Sequence, residues 1–142
     1  MDDCIFCKII AGDIPSVTVY EDDEVKAFLD ISQATPGHTL LVPKQHIQDI
    51  FAYDADLAER VFSRVPALAR AIKASNPKIQ GMNIINNNGA VAYQSVFHSH
   101  IHFIPRYGAN DDFSIHFGDH TDQYDGAKLE AIAASIRQQL ED

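Results

Sequence analysis

Apolar residues recur along this chain in two rhythms, one of two residues and one of three to four, the periods of strands and helices. Val17 to Glu21 and Val25 to Leu29 flank Asp22-Asp23, which predicts two strands in a hairpin, though without the glycine of the tightest turns. After a loop from Asp30 to Gly37, punctuated by Pro36-Gly37, His38 to Pro43 predicts a third strand. Gln80 to Asn87 alternates loosely around Met82, Ile84 and Ile85 and predicts a fourth, ending in the turn cluster Asn86-Asn87-Asn88-Gly89. Ala90 to Tyr93 then leads into a fifth strand, Gln94 to Pro105, and so short a connection implies an antiparallel pair.

Helical spacing marks three further stretches. Cys4 to Ala11 predicts a short apolar helix stopped by Gly12. Asp54 to Asn76 predicts the long helix, with Asp54 as N-cap and Leu57, Val61, Leu68 and Ile72 on one stripe. Pro66 lies inside it, so a kink or break is expected there. Ala127 to Leu140 predicts a last helix whose Leu129, Ile132, Ile136 and Leu140 pack on its own sheet or on a partner. Strands, then a helix, then strands describe an α+β chain built on an antiparallel sheet.

The 142 residues, 46% of them hydrophobic, fit one domain. No run of about 18 apolar residues predicts a membrane span. Met1-Asp2-Asp3 lacks the basic-then-apolar pattern of a signal peptide, so a cytoplasmic protein is expected. The net charge of -9 argues against nucleic acid or anionic membrane as a partner through a basic surface. An anionic substrate would have to be met by local donors: imidazoles, oriented N–H groups, Arg106 or Lys44.

Two motifs carry chemistry. On a strand, His98, His100 and His102 share one face, whereas a helix would fan them apart at about 100° per residue. Converging imidazoles serve as nucleophile, acid/base or metal ligand; the bland alternative is a solvated edge, which the apolar neighbours Phe97, Ile101, Phe103 and Ile104 oppose. Cys4-Ile5-Phe6-Cys7 offers two of the four ligands of a closed zinc site. The same spacing also suits redox chemistry or two reduced core thiols. His116 and His120, in the polar tail, read as ordinary exposed histidines.

His98-Ser99-His100-Ile101-His102-Phe103-Ile104 resembles the histidine triad of the HIT family, His-φ-His-φ-His-φ-φ with φ apolar; Ser99 departs at the first φ. Asp30, Gly37-His38, Pro43-Lys44 and His46 match further family features, and the resemblance runs nearly to Arg106. It implies a HIT-like fold, a five-stranded antiparallel sheet with one long helix and short terminal helices, as a single domain with a C-terminal extension from about residue 107. It also implies a nucleotide hydrolase or transferase. His100 would attack the α-phosphate of an adenosine phosphoramidate or dinucleoside polyphosphate to give a nucleotidyl-histidine, flanked by His98 and His102. Asp30 would take the ribose hydroxyls. Asn87, Gln94, Ser95 and His102 would contact phosphate, with His38 as buttress. Ile5, Phe6, Phe28 and Ile31 would wall a pocket for a purine base; without the resemblance these four read as core.

In family members with an N-terminal CxxC, the zinc-containing bacterial type, the set is completed by two histidines; here Cys4, Cys7, His46 and His98 would hold a structural zinc ion. Homodimerisation is implied as well. Tyr93 stands where the family usually has glycine, and tyrosine takes positive φ at a cost. That departure favours a second reading, a purine-nucleotide-binding module with little turnover that acts through protein partners. A third is a zinc-stabilised interaction protein with a vestigial triad.

Overall fold

Five strands form one antiparallel sheet in the order β1-β2-β3-β5-β4 in the computed structural model, which describes residues 3–141. They are β1 (Thr18–Glu21), β2 (Val25–Leu29), β3 (Thr39–Pro43), β4 (Gly81–Ile85) and β5 (Ile101–Arg106). Met1 and Asp2, part of the acidic start noted above, lie outside the described residues. Asp22 closes the first hairpin without a glycine: its Oδ1 accepts from the amides of Glu24 and Val25, a local side-chain turn.

Side chains alternate across the sheet. Val25, Ala27, Leu41, Ile101 and Phe103 pack on one face against Leu57 and Val61 of α2 (Ala55–Phe62) and Leu68 and Ile72 of α3 (Val65–Ala74). Phe28, Leu40 and Val42 point to the other face and meet Phe6 and Ile9 of α1 (Ile5–Ala11). Gly12 ends α1 with φ of 87°, a left-handed cap that glycine takes without strain.

The long helix expected over 54–76, with a kink or break at Pro66, is divided in two. The break falls at Ser63 and Arg64, with Pro66 in the first turn of α3, where its missing N–H is tolerated. The fifth strand is also shorter than expected. It starts at Ile101, so His98 and His100 belong to an irregular lead-in and only His102 lies within the ladder, opposite Leu40 and Ile85. A backbone donor explains this: the Ser99 amide bonds Ile47 O at 2.7 Å, outside the sheet.

Beyond β5, Arg106 clamps the start of the tail through Asp111, Asn83 and the Phe113 carbonyl. The last helix, α4 (Gly126–Gln139), is capped by Asp125, and Leu129, Ile132 and Ile136 on it remain exposed. No helix among the described residues is long and apolar enough to cross a membrane.

Candidate functional site

The triad segment is fixed by hydrogen bonds that decide which nitrogen of each ring is free. Nδ1 of His100 lies 2.8 Å from the carbonyl oxygen of His98. A carbonyl only accepts, so Nδ1 carries the proton and Nε2 keeps its lone pair. Among the described residues that Nε2 has no intramolecular partner, and no fully buried side-chain nitrogen or oxygen there lacks one. The atom is therefore open to the cleft that His100 lines.

The same logic runs through His38. Its Nδ1 accepts from the Ala34 amide at 3.2 Å, so its Nε2–H donates to Nδ1 of His102 at 2.9 Å. His102 must then carry its own proton on Nε2, as a donor. Burial lowers the pKa of His38 and His100, and with the neighbouring charges of His100 and His38 it lowers that of His102 to about 4. All three rings are neutral near pH 7.

The cleft has a volume of about 260 Å³ and lies between α1 and the sheet. Ile5, Phe6, Phe28 and Ile31 line it, with Asp30, Ser95, His100 and His102. Phe6 is central: its ring meets Phe28 edge-on at 5.6 Å and His100 at 5.0 Å. Ile31 is 99% exposed and forms rim rather than wall. Burial pushes the Asp30 carboxyl up, but bonds from the Ser32 hydroxyl and amide outweigh it and hold the group below its usual range. Oδ1 takes both bonds, and Oδ2 stands 3.8 Å from Nε2 of His38.

A second constellation joins Cys4, Cys7, His46 and His98, whose ligand atoms all lie within 4.8 Å of one another. Nε2 of His98 bonds the Pro43 carbonyl at 2.8 Å, which turns a bare Nδ1 toward the sulfurs. That Nδ1 is 3.4 Å from Sγ of Cys4 and 3.6 Å from Sγ of Cys7, and Nδ1 of His46 is 3.3 Å from Sγ of Cys7. Zinc bonds of about 2.3 Å to sulfur and about 2.0 Å to nitrogen, at a tetrahedral angle, put their far ends about 3.5 Å apart. Two thiols and two imidazoles at this spacing fit the ion. Cys4 is also the N-cap of α1, accepting from the Cys7 amide.

Four residues expected to meet phosphate, Gln94, Lys44, Arg106 and Asn87, do not line the cleft. Gln94 is buried; its Oε1 accepts from the Gly89 amide and its Nε2 donates to the carbonyls of Gln48 and Val96. Both amide hydrogens are spent inside the loop, and Gln94 does not line the cleft. Lys44 pairs with Glu21 and Arg106 with Asp111. Asn87 makes no side-chain hydrogen bond among the described residues and does not line the cleft.

Its neighbours carry roles the sequence did not suggest. Asn86 Nδ2 donates to the His100 carbonyl at 2.9 Å, and Asn88 Oδ1 accepts from the Ile50 amide at 2.7 Å. Gln33, at φ of 44°, ties the 30–38 loop through the carbonyls of Asp30 and His38 and the amide of Gly37. Ser99 is buried and bonds Tyr53 on the helix side of the sheet. Tyr93 adopts φ of 71°, the left-handed conformation itself, so the loop keeps a glycine-like backbone despite the side chain.

The model of the HIT domain matches residues 11–109. A Bacillus subtilis protein named "Protein hit" is 52% identical over 98% of this chain and 95% of its own length. The crystal structure of a Bacillus subtilis member of the HIT family superposes with a TM-score of 0.95 at 51% identity, covering 99% of both chains. An adenosine 5'-monophosphoramidase of Candida albicans is 37% identical over 72% of this chain and 70% of its own. A zinc-bound histidine triad family protein of Mycobacterium smegmatis superposes with a TM-score of 0.73 at 32% identity, covering 98% of this chain and 99% of that one.

Proposed function

The chain belongs to the HIT family, and from that premise we propose that it is a nucleotidyl hydrolase working through a covalent histidine intermediate. The observation that carries the reading is the open Nε2 of His100, with Nδ1–H held by the His98 carbonyl at 2.8 Å. A neutral imidazole so pinned is a nucleophile toward phosphorus. Nε2 forms the P–N bond, and the electron pair of the scissile bond leaves with the departing group, which takes a proton from solvent. Water then attacks phosphorus, the P–Nε2 bond breaks with its pair returning to the ring, and the water's proton passes to bulk.

Other residues divide the binding work. The Nε2–H of His102 and the Ser95 hydroxyl stabilise the phosphoryl oxygens. Free Oδ2 of Asp30 accepts from the ribose. Phe6, Phe28 and Ile5 stack against a purine base, with Ile31 closing the rim. The adenosine 5'-monophosphoramidase of Candida albicans supports an AMP-like nucleotide with an amine leaving group. Cys4, Cys7, His46 and His98 hold a structural zinc ion in this reading, supported by their donor set and by the zinc-bound relative. Zinc would tie α1, a wall of the cleft, to the residue that holds His100. Reduced thiols there suit the cytoplasm. We read residues 1–142 as one HIT domain extended from about residue 107, and the exposed apolar face of α4 suits a homodimer.

Turnover of a fluorogenic adenosine phosphoramidate by the wild type and by His100→Ala tests the reading. Loss of turnover in the variant, and a nucleotidyl adduct on His100 by mass spectrometry, are expected. Equal rates would leave a nucleotide-binding module in its place.

A further inference from the structure

Among the described residues the His102 ring has one hydrogen-bond partner, His38. His38 therefore decides which nitrogen of His102 carries the proton. What decides His38 lies outside the cleft. The Ala34 amide donates to its Nδ1 at 3.2 Å, and the Asp30 carboxylate stands 3.8 Å from its Nε2. Both favour a proton on Nε2. Were that amide turned away, the two rings would be free to exchange roles. His38 Nε2 would accept from His102 Nδ1, and His102 would present a bare lone pair to the phosphoryl oxygens.

The amide that sets this order follows Gln33 directly. Gln33 has φ of 44°, a turn in the chain that its side chain holds in place. Nε2 donates to the carbonyls of Asp30 at 2.6 Å and His38 at 2.7 Å, and Oε1 accepts from the Gly37 amide at 2.8 Å. Two acceptors on one side and a donor on the other call for an uncharged amide, since a carboxylate would set oxygen against carbonyl. These bonds join the first residue of the 30–38 loop to its last. Thr35 seats the same loop on β5, the strand that carries His102, through its hydroxyl to the Pro105 carbonyl at 2.6 Å. The Asp30 side chain, by contrast, is held by Ser32. Gln33 itself does not line the cleft.

We propose that Gln33 is a positioning residue for the phosphate donor: by shaping the 30–38 loop it aims the Ala34 amide at His38 and so keeps the proton of His102 on Nε2, toward the substrate. The kinetic consequence rests on the hydrolase reading; the tautomer does not.

Nitrogen-15 spectra of ring-labelled histidine read the tautomers directly, on the protein as purified and near neutral pH, with His102→Gln to assign the signals. The wild type is expected to show His38 and His102 both protonated at Nε2. Gln33→Met keeps the side-chain length and loses the bonds. Gln33→Gly loses them too and takes positive φ freely, so it folds even where strain defeats the other variant. In both, His102 is expected as a mixture of tautomers, with kcat on an adenosine phosphoramidate down about tenfold and KM within about twofold of wild type. Ser32→Ala releases the Asp30 carboxylate with Gln33 in place, and should raise KM while His102 keeps its proton on Nε2. Wild-type His102 protonated at Nδ1, or an unchanged tautomer in both Gln33 variants, would overturn the role. So would a rise in KM alone in those variants, or a tautomer change in Ser32→Ala, which would give the control to Asp30. If the wild type turns over nothing yet the tautomers shift as stated, the hydrolase reading falls and Gln33 keeps its role. Turnover intact with tautomers unmoved does the reverse.

Discussion

His98 holds His100 by its carbonyl oxygen, 2.8 Å from Nδ1, while turning its own ring away toward the two cysteines. One residue thus fixes the tautomer of His100 and turns a bare ring nitrogen toward Cys4 and Cys7. His100→Ala should lower kcat by at least about a thousandfold, with AMP binding within a few fold of wild type by calorimetry. A variant that keeps a tenth of the activity would remove His100 from its assigned role.

Metal removal should be felt as loss of stability. The purified protein should contain one zinc per chain by atomic spectroscopy, and chelation or Cys7→Ser should lower Tm by about 10 °C, since binding energy at a closed site is folding energy. Scanning calorimetry with and without chelator checks this; identical transitions in metal-loaded and stripped protein would contradict it.

Tyr93→Gly should stabilise the chain. A non-glycine residue at φ of 71° is strained by roughly 1 kcal/mol, part of which glycine returns as chain entropy. The ring is 87% exposed, so little burial is lost. The expected gain is about 0.5 kcal/mol, read as a higher urea midpoint at unchanged slope.

Acid should destabilise the fold across a defined window. Burial, followed by the charges of His100 and His38, depresses His102 to about 4, and burial depresses His38. The unfolded chain protonates these rings below about pH 6.5 and the folded one resists. The stability they contribute is full above that pH and is lost as pH falls to about 4. Tm measured from pH 7 to pH 4 should fall, and less steeply for His102→Gln; parallel curves for the two proteins would refute the assignment.

Asn86→Ala should lower kcat about tenfold and leave KM nearly unchanged, because Nδ2 of Asn86 bonds the His100 carbonyl rather than lining the cleft. A rise in KM alone would show that the side chain touches nucleotide instead.

Much of this was legible in the residues. Alternation gave the strands of the sheet, and Gly12 and Asp54 marked helix ends where the structure has them. The lead-in to β5 reads as strand because histidines at every second position, 98, 100 and 102, look the same whether or not the backbone is paired; the Ser99–Ile47 bond that removes it from the ladder is a contact between distant residues. Gln94 is ambiguous for a similar reason, as an amide at a loop start serves phosphate or backbone equally well, and its side chain here bonds backbone. Asn86 and Gln33 were missed because they act through main-chain carbonyls, which leave no mark on residue type.

The cleft exists because its cover is short. Five strands about 4.8 Å apart span roughly 19 Å, whereas the seven residues of α1 extend only about 10 Å. The sheet surface that the helix leaves uncovered at its side is the room left for a guest, with Ile5, Phe6 and Ile9 of α1 as one wall. A longer first helix would bury more oil and shut the door, so this fold has traded hydrophobic cover for vacancy.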